Sequence, residues 1–166
     1  MGITKILSIL IGVVVTIITL AFVGAYIVSV FSGTKEVQAA SELSTVISNV
    51  QGLYASQPNF SGLTNTVAIQ GGVYPTMMAT LSSTSATDPW GGNVTVEANP
   101  TNNAEFTVEF DDVPADSCTK LASSYNSSNL VSLSIDGNNV TAFNPATLSS
   151  ACNTAAAPIT MIWALN

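Results

Sequence analysis

The pattern of hydrophobic and polar positions changes abruptly near residue 33. Residues 6–33 form a run of 28 positions without a charged side chain. As a helix this run would be about 42 Å long, against a bilayer hydrocarbon core of roughly 30 Å. It is also longer than the apolar region of a cleavable signal peptide, so we expect it to be retained. The sequence predicts a membrane-spanning helix in residues 1–33, and Lys5 on its short N-terminal side favours a cytoplasmic N-terminus and an exported remainder.

Beyond Gly33 the apolar residues recur at spacings of three and four, which predicts an amphipathic helix that continues through residues 34–57 and ends before Pro58. An apolar stripe of this kind is able to pack on a β-sheet. The residues of the stripe are Val37, Ala40, Leu43, Val46, Ile47, Val50, Leu53 and Tyr54.

Residues 58–166 alternate between short apolar runs and segments rich in Gly, Pro, Ser and Asn, which predicts one globular, β-rich head. A turn signal at residues 136–139 predicts a hairpin whose second strand covers residues 140–143, and residues 82–88 are expected to be a loop. The alternating residues that mark the predicted strands are Val94 and Val96; Phe106, Val108 and Phe110; Val131, Leu133 and Ile135; Ile159, Met161, Trp163 and Leu165.

A short helix is predicted over residues 114–125, with Pro114 near its start and Cys118 on its apolar face. The second cysteine of the chain, Cys152, precedes the last predicted strand. An even number of cysteines in a small exported domain indicates a disulfide. The alternative reading is that both are buried free thiols.

Composition argues against most enzymatic and nucleic-acid-binding functions. The chain has ten acidic residues, three lysines, no arginine and no histidine. Nucleic-acid recognition depends on clustered basic side chains, and the lack of histidine removes the commonest general base and metal ligand. We therefore expect no catalytic residues, no cofactor, no metal site and no directly bound nucleic acid.

Three smaller signals have alternative readings. The acidic residues Glu109, Asp111, Asp112 and Asp116 could supply calcium ligands or a catalytic pair, but their spacing fits no EF-hand loop, and solvated carboxylates are the favoured reading. The two tryptophans, Trp90 and Trp163, could bind sugars or partners, although packing in the core is favoured. Four Asn-x-Ser/Thr triplets are treated as chance matches; they begin at Asn59, Asn93, Asn126 and Asn139.

Three local stretches, taken in order, resemble the type IV pilins, and within them the type IVb pilins of conjugative thin pili. Residues 88–96 (DPWGGNVTV) are similar to a Pro-Trp-Gly turn that enters the first sheet strand. Residues 113–121 (VPADSCTKL) are similar to the helix of the first cysteine. Residues 151–165 are similar to the closing cysteine and the terminal strand.

The resemblance implies an α+β type IV pilin fold: a long N-terminal helix packed on an antiparallel head, with a disulfide between Cys118 and Cys152 in its C-terminal part. It implies a structural subunit, the major pilin of an extracellular filament used in attachment or conjugation. It also implies anchoring in the inner membrane before assembly, with the head in the periplasm. The implied partners are identical subunits, a prepilin peptidase, an assembly ATPase and a platform protein.

The same resemblance implies processing and N-methylation at Met1 and a filament core built from the hydrophobic helix. One departure concerns the glutamate that most such pilins carry at the fifth mature position, because Lys5 stands there if Met1 is the mature start, and Leu7 if Ile3 is. A membrane-anchored periplasmic binding module and a minor pilin or pseudopilin are the alternative functions. The predicted assembly residues are Lys5, Ile6, Leu10, Val14, Ile17, Phe22 and Ile27.

Overall fold

The computed structural model describes residues 35–166, and residues 35–53 of this part form helix α1. The predicted membrane-spanning helix in residues 1–33 lies outside the described residues, and so do Met1 and all seven predicted assembly residues. Within residues 35–166 no helix is sufficiently long and apolar to cross a bilayer.

The buried face of α1 follows the helical period but not at every predicted position. Leu43, Val46, Ile47 and Val50 are buried as predicted, whereas two other predicted positions, Val37 and Leu53, are 72% and 42% exposed. The buried stripe instead begins at Glu36, whose carboxylate a hydrophobicity pattern assigns to solvent. The prediction for Val37 was wrong because polar partners allow a charged residue to occupy the inner face at that end of the helix.

The strands of the head form one six-stranded antiparallel sheet in the order β1-β2-β3-β6-β4-β5. The strand nearest the C-terminus, β6, lies between β3 and β4. On one side it pairs Phe110 with Met161, and on the other it pairs Leu133 with Trp163. The strand bounds are β1 Ala86–Thr87, β2 Asn93–Ala98, β3 Phe106–Val113, β4 Leu130–Ile135, β5 Asn138–Asn139 and β6 Ile159–Leu165.

Three further helices lie outside the sheet: α2 Asn65–Gln70, α3 Ala115–Ser124 and α4 Pro145–Thr154. Helix α3 confirms the predicted helix near the first cysteine. The sequence prediction missed both α2, which is short, and α4, which is rich in serine, threonine and alanine and lacks a clear apolar stripe. Both are capped at their N-termini: Thr64 accepts a hydrogen bond from the backbone N–H of Val67, and Asn144 accepts one from Thr147.

The hairpin after β4 is tighter than the sequence predicted. Asp136 and Gly137 both have positive φ, at 51° and 79°, as the two central residues of a type I′ turn require. The return strand, β5, is Asn138–Asn139, and residues 141–143 are not in a strand. The predicted strand over residues 140–143 was therefore wrong, because a two-residue turn brings the chain back before Val140. Residues 82–88 were predicted to be a loop, but their last part contains strand β1.

The core joins the inner faces of the sheet and of α1 in one hydrophobic cluster. Alternate residues of β3 and β6 are buried, as the period of two in a sheet with one covered face requires. Trp163 lies in this cluster, with its ring edge-on to Phe110 at a centroid distance of 5.6 Å. Burial of these side chains is the main favourable contribution to the stability of the head.

Candidate functional site

Helices α3 and α4 are joined by a disulfide between Cys118 and Cys152, which confirms the predicted pairing. Both sulfur-bearing side chains are buried, at 0% and 2% exposure. Helices α3 and α4 lie outside the sheet and are attached to it through side-chain packing. The disulfide adds a covalent link between these two helices. The bond therefore holds α3 and α4 in a fixed arrangement relative to each other.

An ion pair connects α3 to the start of the described part of α1. Lys120 donates to both carboxylate oxygens of Glu36, at 3.0 and 2.7 Å, and Ser117 donates to Oε1 at 3.1 Å. The Glu36 side chain is 8% exposed and that of Lys120 is 64% exposed. This is the one ion pair within residues 35–166. The sequence pattern could not reveal it, because the two partners are 84 positions apart.

The turn before β2 is organised by Asp88. Its Oδ1 atom accepts hydrogen bonds from the backbone N–H groups of Trp90, Gly91 and Gly92, at 2.8, 2.9 and 2.9 Å. At Gly92 the chain passes so close to β3 that an added Cβ would lie 2.0 Å from the carbonyl oxygen of Asp111. The Asp-Pro-Trp-Gly-Gly stretch is thus a structural turn that sets the entry of β2 beside β3.

The acidic residues around the end of β3 have separate surroundings. Thr160 donates to Asp111 at 3.0 Å, Asp112 adopts φ 56° at the irregularity that ends β3, and Asp116 lies in the first turn of α3. No group of three acidic, cysteine or histidine side chains within residues 35–166 is placed to bind a metal ion. Burial, with the charges of Asp111 and Glu97, raises the pKa of Glu109.

The two tryptophans differ in exposure. Trp163 is fully buried, so it contributes to the core and is not accessible to a ligand. Trp90 is half-buried and packs against the same core from the Asp88 turn. The interpretation of both as packing residues agrees with this placement.

Two of the large exposed apolar side chains of the head lie in the segment between α2 and β1. Met77 and Leu81 are 72% and 69% exposed. Leu81 borders a groove of about 550 Å³ whose other walls include Ile69, Tyr74 and Ala79. Exposed apolar side chains beside a groove are typical of surfaces that contact other proteins.

Comparisons with known proteins agree with this architecture. The model of the Bundlin family matches residues 29–166. The fold is similar to the crystal structure of TcpA, a type IV pilin from Vibrio cholerae El Tor biotype, with a TM-score of 0.58. That similarity covers 80% of this chain and 99% of the TcpA chain at 15% sequence identity, so it supports the fold. A comparison with curated proteins finds no match.

The family match extends over most of the chain and includes all six strands, both cysteines and the Asp88 turn. Pilins of this family are structural subunits of an extracellular pilus, and the family is not one of enzymes. The chain therefore belongs to the Bundlin family and is a type IVb pilin.

Proposed function

We propose that this pilin is the major subunit of its filament, with residues 1–33 packed in the filament core and the head outside. The observation that carries the proposal is the pilin family match over residues 29–166, combined with an uncharged run over residues 6–33. The head already has a closed core of its own within residues 35–166. In this proposal the apolar run contacts other subunits.

Hydrophobic burial supplies the cohesion in this proposal. A heterologous contact between one subunit and the next repeats without closing and generates a helical filament. Each subunit would remove the apolar side chains at Ile6, Leu10, Val14 and Ile17 from lipid or water and place them against copies of the same segment. Lys5 cannot neutralise a neighbouring N-terminal amine, so shape and apolar packing would direct docking alone or with a different acid.

The proposed route to the filament begins in the inner membrane. The apolar run anchors the subunit there, with the head in the periplasm, until a platform protein and an assembly ATPase move it into the growing pilus. A prepilin peptidase would process the N-terminus, and the mature terminal residue, Met1 in this numbering, would be N-methylated. N-terminal mass spectrometry of sheared filaments tests this step, since an unmethylated or different terminus would contradict it.

Electron microscopy of a strain that lacks the gene tests the assignment as major subunit. Loss of all filaments, with recovery on complementation, supports it. Filaments that persist in normal number would indicate a minor pilin. A chain that stays monomeric and membrane-bound in the complemented strain would instead indicate an anchored binding module.

A substitution in the apolar run tests the filament-core role separately from the fold of the head. Leu10→Arg is expected to abolish filaments, because a charge would enter the packed core, whereas Leu10→Met keeps the apolar volume and is the matched control. Urea unfolding of the head should be the same in both variants. Filaments of normal yield from Leu10→Arg would contradict the proposed role of the segment.

We further propose that the filament serves attachment between cells, including conjugation. The support is the resemblance of residues 88–96 and 113–121 to pilins of conjugative thin pili. Mating in liquid and on a solid surface, with the deletion strain as donor, tests this use. A deletion strain that transfers plasmid as well as its parent in both conditions would exclude it.

A further inference from the structure

Glu42 is a second carboxylate on the buried face of α1, and it has no cationic partner among the described residues. It is 6% exposed. The amide of Gln38 donates to Oε1 at 2.8 Å, while Oε2 is buried without a hydrogen-bond partner. A buried charge in this position is costly unless it is neutralised. Glu36, by contrast, has the lysine and serine donors described above.

Asp88 is buried to the same degree, at 6% exposure, and it is also incompletely satisfied. Its Oδ1 atom has three N–H donors from the turn, whereas its Oδ2 atom is buried without a partner. The two residues therefore differ in how well they tolerate a negative charge. Three backbone donors stabilise the carboxylate of Asp88, and one side-chain amide stabilises that of Glu42.

The side-chain charges that affect the pKa values of Glu42 and Asp88 are negative. Burial, and then the charge of Asp88, raise the pKa of Glu42 against the opposing effect of the Gln38 hydrogen bond. The pKa of Asp88 is also raised: burial is the main cause, the three backbone donors oppose it in part, and the charge of Asp112 adds to it. Within residues 35–166 the one lysine in an ion pair is committed to Glu36. No lysine within residues 35–166 forms an ion pair with Glu42 or Asp88, so a proton is able to remove a charge from this part of the core.

We propose that Glu42, a buried carboxylate with one hydrogen-bond donor and one unpartnered oxygen, binds a proton before Asp88 does and makes the stability of the head pH-sensitive. The proton goes first to Glu42, because three backbone hydrogen bonds to Asp88 partly offset the effect of burial on its pKa, whereas Glu42 has a single side-chain donor. A metal ion fits less well, since calcium takes six to eight oxygen ligands and, within residues 35–166, no third acidic side chain completes the site. Both unpartnered oxygens are also shielded from solvent.

The direction of the pH effect follows from the raised pKa of Glu42. The folded head holds the proton more tightly than the unfolded chain does, so protonation favours the folded state. This contribution is complete below the pKa of an exposed glutamate, and it is lost as pH rises through the higher pKa of folded Glu42. The head should therefore be more stable in weakly acidic than in alkaline solution.

Urea unfolding of the full-length chain in detergent, measured from pH 5 to pH 8, tests the proposal. In the wild type, the unfolding equilibrium constant should rise with pH by up to about tenfold per unit where the proton is lost. Glu42→Gln should flatten this dependence and be as stable as the wild type or more so at pH 8. Asp116→Asn, an exposed site in α3 that removes the same charge, should leave the dependence unchanged. An unaltered pH dependence in Glu42→Gln would overturn the proposal.

Asp88→Asn is a second variant, because asparagine keeps the acceptor oxygen for the three N–H groups and removes only the charge. It should lower the pKa of Glu42. Carboxyl-carbon NMR of labelled glutamate measures this change even where an unfolding curve is unclear. A glutamate titration that does not move would contradict the pairing. If millimolar calcium chloride stabilises the wild type but not Glu42→Gln, the site binds a cation instead of a proton and the proposal is wrong.

Discussion

Replacement of Gly92 by alanine is expected to destabilise the head by about 3–5 kcal/mol. An added Cβ would lie 2.0 Å from the carbonyl oxygen of Asp111 and 2.7 Å from its carbonyl carbon, which are backbone atoms that cannot rotate away. Overpacking of this kind costs roughly 1–3 kcal/mol. Moving the chain apart also stretches the hydrogen bond from Gly92 N–H to Asp88, and a bond to a charged group is worth about 1.5–3 kcal/mol.

Gly52→Ala provides the matched control for this prediction. Gly52 lies in α1, and an added Cβ there meets nothing within 4 Å. Alanine should therefore stabilise the helix by about 0.5 kcal/mol through its better propensity. Urea unfolding of both variants in the full-length chain measures the two effects. If Gly92→Ala unfolds within about 1 kcal/mol of the wild type, the close approach of β2 to β3 is not a constraint on the sequence.

Two further predictions concern the attachment of α3. The Cys118→Ala/Cys152→Ala variant should lose about 4 kcal/mol of stability, since the cysteines are 34 positions apart and the open loop gains chain entropy in the unfolded state. Each single variant should cost a similar amount, and a loss below about 1 kcal/mol in urea unfolding would exclude a stabilising bond. Lys120→Met should cost about 1–2 kcal/mol, because it leaves the buried carboxylate of Glu36 unpaired while the exposed lysine is partly screened by solvent. Adding Glu36→Gln should recover part of that loss, and a double variant that is less stable than Lys120→Met alone would contradict this reasoning.

Alternation and turn signals in the sequence predicted four of the six strands, because the inward positions of β2, β3, β4 and β6 are large and apolar. The short strands β1 and β5 carry little of this signal. Thr87, Asn138 and Asn139 are exposed, so tertiary pairing decides their strand conformation. The disulfide followed from cysteine count and compartment, which required no knowledge of where the two helices lie.

The polar interactions of the core could not be predicted in the same way. Glu36, Glu42 and Asp88 are each buried, yet a hydrophobicity pattern assigns charged residues to solvent. Their burial depends on donors that the fold supplies from elsewhere, such as Lys120 for Glu36 and the turn amides for Asp88. A pattern along one helix contains no information about such donors, which explains why the predicted stripe of α1 included Val37 and omitted Glu36 and Glu42.

The position of β6 in the sheet limits when the head is able to fold. Every other element of the sheet precedes β6 in the chain, yet β6 supplies the hydrogen bonds that join β3 on one side to β4 on the other. Until residues 159–165 take their place in the sheet, β1–β3 and β4–β5 are two separate ladders, each with an open edge and an exposed apolar face. The sheet of the head is therefore completed by its last strand, and a chain truncated before residue 159 would expose the surfaces most prone to aggregate.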